Sequence, residues 1–138
     1  MADVPTFPPR GIYSGGVQYT CGPLATAVNL KTAAQTVLIP VQSGRSYLVR
    51  ALFVRLTNVN TLTVPPILRV GNSVNFDNIA ALTTLTGGIT SMLIPLTLVT
   101  GVSLLIISIG TTAISLDVQT GATATTCIGD IWGEGYIL

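Results

Sequence analysis

Two cysteines, five acidic residues, five arginines and one lysine make up most of the chain's chemical inventory, and histidine is absent. The commonest general base near pH 7 is therefore missing, and no Ser-His-Asp or Cys-His nucleophile can be assembled. Cys21 and Cys127 lie near opposite ends of the chain. A bridge between them would tie the first segment to the last and add about 4–5 kcal/mol in the loop-entropy account. A reducing compartment would instead leave two free, partly buried thiols. Two cysteines without histidine do not fill a tetrahedral zinc shell. Asn72, Asn75, Asp77 and Asn78 offer oxygen ligands in one loop, enough for weak calcium binding, but only one is charged and Asx residues recur in turns for local hydrogen-bonding reasons. Asp130 and Glu134 bracket Trp132. A glycosidase carboxylate pair would need a cleft and more stacking aromatics than the strand region holds, so these residues read as a solvated loop edge beside a core tryptophan. Gly87-Gly88, and Gly133 with Gly135 around Glu134, mark turns or bulges and lack the strand–loop–helix context of a phosphate cradle. Neither an enzyme nor a cofactor nor a metal site is expected.

The elements that hold these residues must suit an unusual composition. The 138 residues fit one domain; 49% are apolar and 8% charged, against roughly 25% charged in an ordinary soluble domain. A compact monomer of this size would carry one charged side chain per roughly 600 Å² of surface, with a net charge of only +1. Much of that surface must meet identical subunits, a larger assembly or lipid. Nucleic acid is not an expected partner, because Arg10, Arg45, Arg50, Arg55 and Arg69 never cluster into a phosphate-binding face. A membrane-inserted β-rich protein is one alternative reading, since Asn78 to Leu116 carries no charge. Pro95, Gly101, the interspersed Thr97, Thr100 and Ser103, the β-branched clusters and the lack of flanking Lys or Arg favour strands over a membrane helix. Met1 to Pro9 has no basic start and no apolar core, and so does not read as a signal peptide.

Residues 1–23 differ from the rest, with Pro5, Pro8, Pro9 and Pro23 alternating with Gly11, Gly15, Gly16 and Gly22. They read as an extended N-terminal arm that contributes little to the sheet ladders. Phe7, Ile12, Tyr13, Val17 and Tyr19 give the arm the apolar groups to dock on a partner. Residues 24–138 read as an all-β antiparallel sandwich of jelly-roll type. Strands are expected near 27–31, 36–41, 47–57, 67–70, 90–98, 102–109, 114–120 and 124–138, the last with a bend at Gly129 or Gly133, and one helical turn is conceivable at 78–85. Ile114, Leu116 and Val118 alternate with Ser115, Asp117 and Gln119, so one face of that strand meets water. Residues 47–57 are apolar on both parities, and Arg50 and Arg55 fall on opposite ones, so both can point outward only across a bulge. A double-sided strand of this kind is most simply covered by a symmetric neighbour, which makes Val49, Arg50, Phe53 and Arg55 candidates for an oligomer interface.

The ending carries a pattern. The strand Ile114–Thr120, the turn Gly121-Ala122-Thr123-Ala124-Thr125 and the closing Gly133-Glu134-Gly135-Tyr136-Ile137-Leu138 resemble the C-terminal half of small jelly-roll structural proteins of tailed bacteriophages. A Pro/Gly-rich arm before a sandwich is similar to capsid cement or decoration proteins. The resemblance implies a homotrimer on the capsid surface, assembled in the host cytoplasm, that binds the major capsid protein and reinforces its contacts. A tail or fibre protein of a phage would share the fold and the ending.

Overall fold

The computed structural model describes residues 17–72, 77–85, 93–99 and 105–138. Those residues form nine strands: β1 (Gln18–Asn29), β2 (Gln35–Ile39), β3 (Ser46–Asn60), β4 (Ile67–Asn72), β5 (Ala80–Thr84), β6 (Leu93–Pro95), β7 (Leu105–Ser108), β8 (Ile114–Thr120) and β9 (Thr126–Ile137). One sheet has the order β1-β9-β3-β6, with β7 also paired to β3; the other has the order β2-β8-β4-β5. All pairings are antiparallel. β7 pairs with Ser46–Val49 and β6 with Phe53–Arg55, so the two act as an interrupted strand along one edge of β3. Counted that way, eight strands divide four and four, the jelly-roll arrangement.

The core between the sheets is filled by large side chains from both, including Leu30, Tyr47, Leu56 and Ile131 on one side and Leu68, Val70, Ile114 and Leu116 on the other. The uncharged stretch beginning at Asn78 supplies Ile79, Ala80, Leu85, Leu96, Leu98 and Ile109 to that core. Among the described residues no helix is long and apolar enough to cross a membrane. The conceivable helical turn at 78–85 is instead β5, because Ile67 and Leu68 of β4 offer it a free ladder at Thr84 and Thr83.

β3 resolves its two-sided apolar pattern with a bulge. Tyr47 and Val49 face the core, as do Leu52, Val54 and Leu56, and the register against β9 slips between Val49 and Ala51. The extra residue flips the parity. Arg50 is thereby exposed, while Ala51, Phe53 and Arg55 share the outer face. Val49, expected at an oligomer interface, is 1% exposed inside the subunit.

Part of the segment expected to be an arm is in a sheet ladder. Residues 18–23 lie in β1, registered against β9 from Gln18↔Ile137 to Pro23↔Trp132. β1 is an edge strand, where a proline costs no ladder bond on the open side, and Gly22 takes a φ of +131° just before it. A register shift between Pro23 and Ala25 and another between Ala25 and Val28 absorb the irregularity.

Candidate interaction surface on the five-stranded sheet

β9 sets the surface. Cys127, Gly129, Ile131, Gly133, Gly135 and Ile137 point inward and are buried; Ile128, Asp130, Trp132, Glu134 and Tyr136 point outward and are half-buried. The glycines are mid-strand, not turns, because bulky neighbours already fill the inner side. A methyl on Gly135 would collide with the Leu48 carbonyl and lie 2.7 Å from Tyr47 Oη, and one on Gly133 would lie 3.2 Å from Leu52 Cδ2. With glycine on the inside, the large residues of β9 are left for the outside. Trp132 is therefore an outer-face residue, not a core one, and Asp130 and Glu134 lie along a strand, not at a loop edge.

The neighbouring strands complete an aromatic outer face. Tyr19 of β1 opposes Tyr136, with ring centroids 5.1 Å apart and planes at 52°, a tilted geometry that aromatic pairs favour. The Tyr19 hydroxyl donates to Glu134 Oε2 at 2.8 Å. That bond, aided by Cys21, holds the phenol well above its ordinary pKa. Phe53 of β3 opposes Trp132, and Arg55 opposes both Asp130 and Leu93 of β6. Phe53, Arg55, Leu93 and Trp132 line a depression of about 430 Å³. Leu93 is 54% exposed, and Ile106 of β7 is 59% exposed on the same sheet. The indole Nε1 of Trp132 is buried and finds no hydrogen-bond partner among the described residues. Asp130 Oδ1 accepts from the Ala27 amide at 2.9 Å.

Beneath this face, Thr20 reaches inward. Its hydroxyl donates to the Gly135 carbonyl at 3.2 Å and accepts from Tyr47 Oη at 2.9 Å. Burial pushes the Tyr47 phenol up from its ordinary pKa. On the other sheet, Arg69 Nε meets Asp117 Oδ2 at 2.7 Å.

Among the candidates read from sequence, Phe53 and Arg55 meet on the outer face and Arg50 stands exposed at the bulge. Tyr19 is an integral β1 residue and Val17 is half-buried just before it; Phe7, Ile12 and Tyr13 lie outside the described residues. Sequence reasoning missed Trp132, Tyr136 and Leu93. The available signal was the spacing of Gly129, Gly133 and Gly135, which marks one parity of β9 as filled from elsewhere.

Chemically, the surface suits binding. Among the described residues no group of three or more His, Cys, Asp or Glu is gathered for a metal. In the Asx-rich loop, Asn78 Oδ1 accepts from the Asn72 amide at 3.2 Å, the turn role such residues commonly play; Asn75 lies outside the described residues. Cys21 is exposed and Cys127 buried, both as free thiols.

No protein-family model matches the chain, and no curated protein resembles it in sequence. Among solved structures it is similar to a chain of the capsid asymmetric unit of cyanophage Pam1. The identity is 22% and the TM-score 0.56, over 91% of this chain and 86% of that one. The likeness bears on the fold.

Proposed function

We propose that the chain is a structural virion protein, a cement or decoration protein that binds and stabilises the major capsid shell as a homotrimer and acts by binding, not catalysis. The observation that carries this reading is the fold shared with a chain of a phage capsid asymmetric unit across 91% of the sequence. Two further features support it. The outer face of the five-stranded sheet presents Phe53, Trp132, Leu93 and Ile106 beside Arg55, Asp130 and Glu134, and exposed apolar groups gathered in this way mark interaction sites. The sequence adds an arm whose Phe7, Ile12 and Tyr13 can strap a neighbour. Burial of apolar surface, at about 25 cal/mol per Å² before association costs, supplies the energy.

The test is to add the purified full chain to phage shells lacking it and follow retention after sedimentation together with shell melting. Retention with a higher shell melting temperature is expected. Absence from shells, or recovery with tails alone, overturns the cement role; the second outcome would favour a tail or fibre protein.

A further inference from the structure

We propose that the first half of β1, residues 18–22, is an exchangeable strand: in the assembled protein it leaves its own β9 and takes the same place on β9 of a second copy. The inference deepens the assembly reading and rests on it, by naming the element that the copies trade.

This half of β1 is held lightly. β1 is an edge strand, and among the described residues it pairs with β9 alone. From Gln18 to Ala27 no residue is fully buried, and Val28 is the first that is; in β9, by contrast, every second residue is buried. Gln18, Thr20, Cys21, Gly22, Pro23 and Leu24 border a depression of about 240 Å³. Segments with few buried apolar contacts open locally while the rest of a fold stays intact.

The vacated place fits what leaves it. Tyr19 packs on Tyr136 and donates to Glu134. Thr20 bonds the Gly135 carbonyl and, where Gly135 leaves room, Tyr47 Oη. Gln18 to Pro23 stay in unbroken register with Ile137 to Trp132. Residues 18–22 of a second copy bring the same side chains in the same order, so exchange remakes each of these bonds.

The connection tips the balance toward a second copy. Between Pro23 and Val28 the closed strand makes two register shifts. Ala27 takes a φ of +52°, in the left-handed region that side chains avoid, and Gly22 takes +131°. A connection that runs straight on to a neighbour needs neither the shifts nor the left-handed alanine. Exchange therefore releases strain that closure stores, the condition under which strands swap. Extended, residues 23–27 span up to ~17 Å, so exchanging copies meet at their β1 margins.

Cys21 lies directly opposite Glu134, a spacing that a disulfide can bridge, so Glu134→Cys reports which chain supplies the strand. The full chain carrying Glu134→Cys is treated with oxidised glutathione and run on a denaturing gel without reductant. Bridges between chains are expected, and Cys21→Ser should remove them. Adding Leu93→Glu, which takes away the contact that gathers the copies, should move the bridge inside one chain. Ala27→Gly accepts the left-handed φ without strain and should raise the share of bridges within one chain several-fold. In the Leu93→Glu chain, amides of residues 19–22 should exchange hydrogen by local opening, insensitive to low denaturant, while Val54 and Ile131 wait for global unfolding. The inference is overturned by bridges within single chains of a protein that sediments as an oligomer, by an unchanged partition in Ala27→Gly, or by residues 19–22 exchanging in step with Val54. Wild type that sediments as a monomer would refute the assembly reading, and the exchange with it.

Discussion

Phe53 and Trp132 stand opposite each other where β3 meets β9, the central pair of the five-stranded sheet, and both are turned away from the core. Two large aromatics at the middle of an outer face are explained by what lies behind them. The bulge at Arg50 puts Leu52 and Val54 inside and Phe53 outside, while Gly133, hemmed in by Leu24 and Leu52, leaves Trp132 the outer side.

The inward glycines are the first thing to test. Gly135→Ala forces a methyl against the Leu48 carbonyl and Tyr47 Oη. It should lower stability by about 1–3 kcal/mol, measured as a fall in Tm. Gly110→Ala, whose methyl would sit 3.4 Å from the Gly44 amide, should stay within about 0.5 kcal/mol of wild type.

Alkaline pH should loosen the sandwich. The Tyr47 phenol is pushed up by burial, so the folded state holds its proton more tightly than the unfolded state. The resulting stability is full below the unfolded value of about 10 and is lost as pH rises through the folded one. Tm should therefore decline above about pH 10. Tyr47→Phe should cost about 0.5–1.5 kcal/mol at neutral pH through the lost bond to Thr20, and should flatten part of the alkaline decline.

The thiols should behave as two separate groups. Cys21 lies opposite Glu134, which is ~24 Å along β9 from Cys127 at strand spacing, far beyond disulfide reach. Cys21 is exposed, whereas burial pushes the Cys127 thiol up. A thiol reagent should label one cysteine in the native protein and the second only on denaturation, and Cys21→Ser should abolish native labelling.

What the sequence revealed depended on how local its signal was. The strand Ile114–Thr120 was legible from its alternation, but the polar parity does not face water as expected: Ser115 and Asp117 are buried, Asp117 paired with Arg69, and only Gln119 and Thr120 are exposed. The opposed parities of Arg50 and Arg55 required the bulge that β3 contains. The same two-sided apolar pattern also suggested an interface role for Val49, because a run of letters does not tell which side of a bulge faces the core. Residues 18–23 looked unfit for a ladder on their proline and glycine content, yet an open edge beside β9 tolerates both. Trp132 read as core because tryptophan is mostly buried; only the fit of Tyr47 and Leu52 against Gly135 and Gly133 sends it outward, and those contacts join residues distant in sequence.

Sedimentation velocity of the full chain beside Leu93→Glu tests most directly whether the outer face of the five-stranded sheet is an assembly surface. Leu93 is 54% exposed, so the substitution should leave Tm unchanged. The account predicts that wild type sediments as a concentration-dependent oligomer, a trimer at saturation, and that Leu93→Glu sediments as a 14.3 kDa monomer. Wild type that remains a 14.3 kDa monomer at tens of micromolar, or Leu93→Glu that assembles as wild type does, would contradict it.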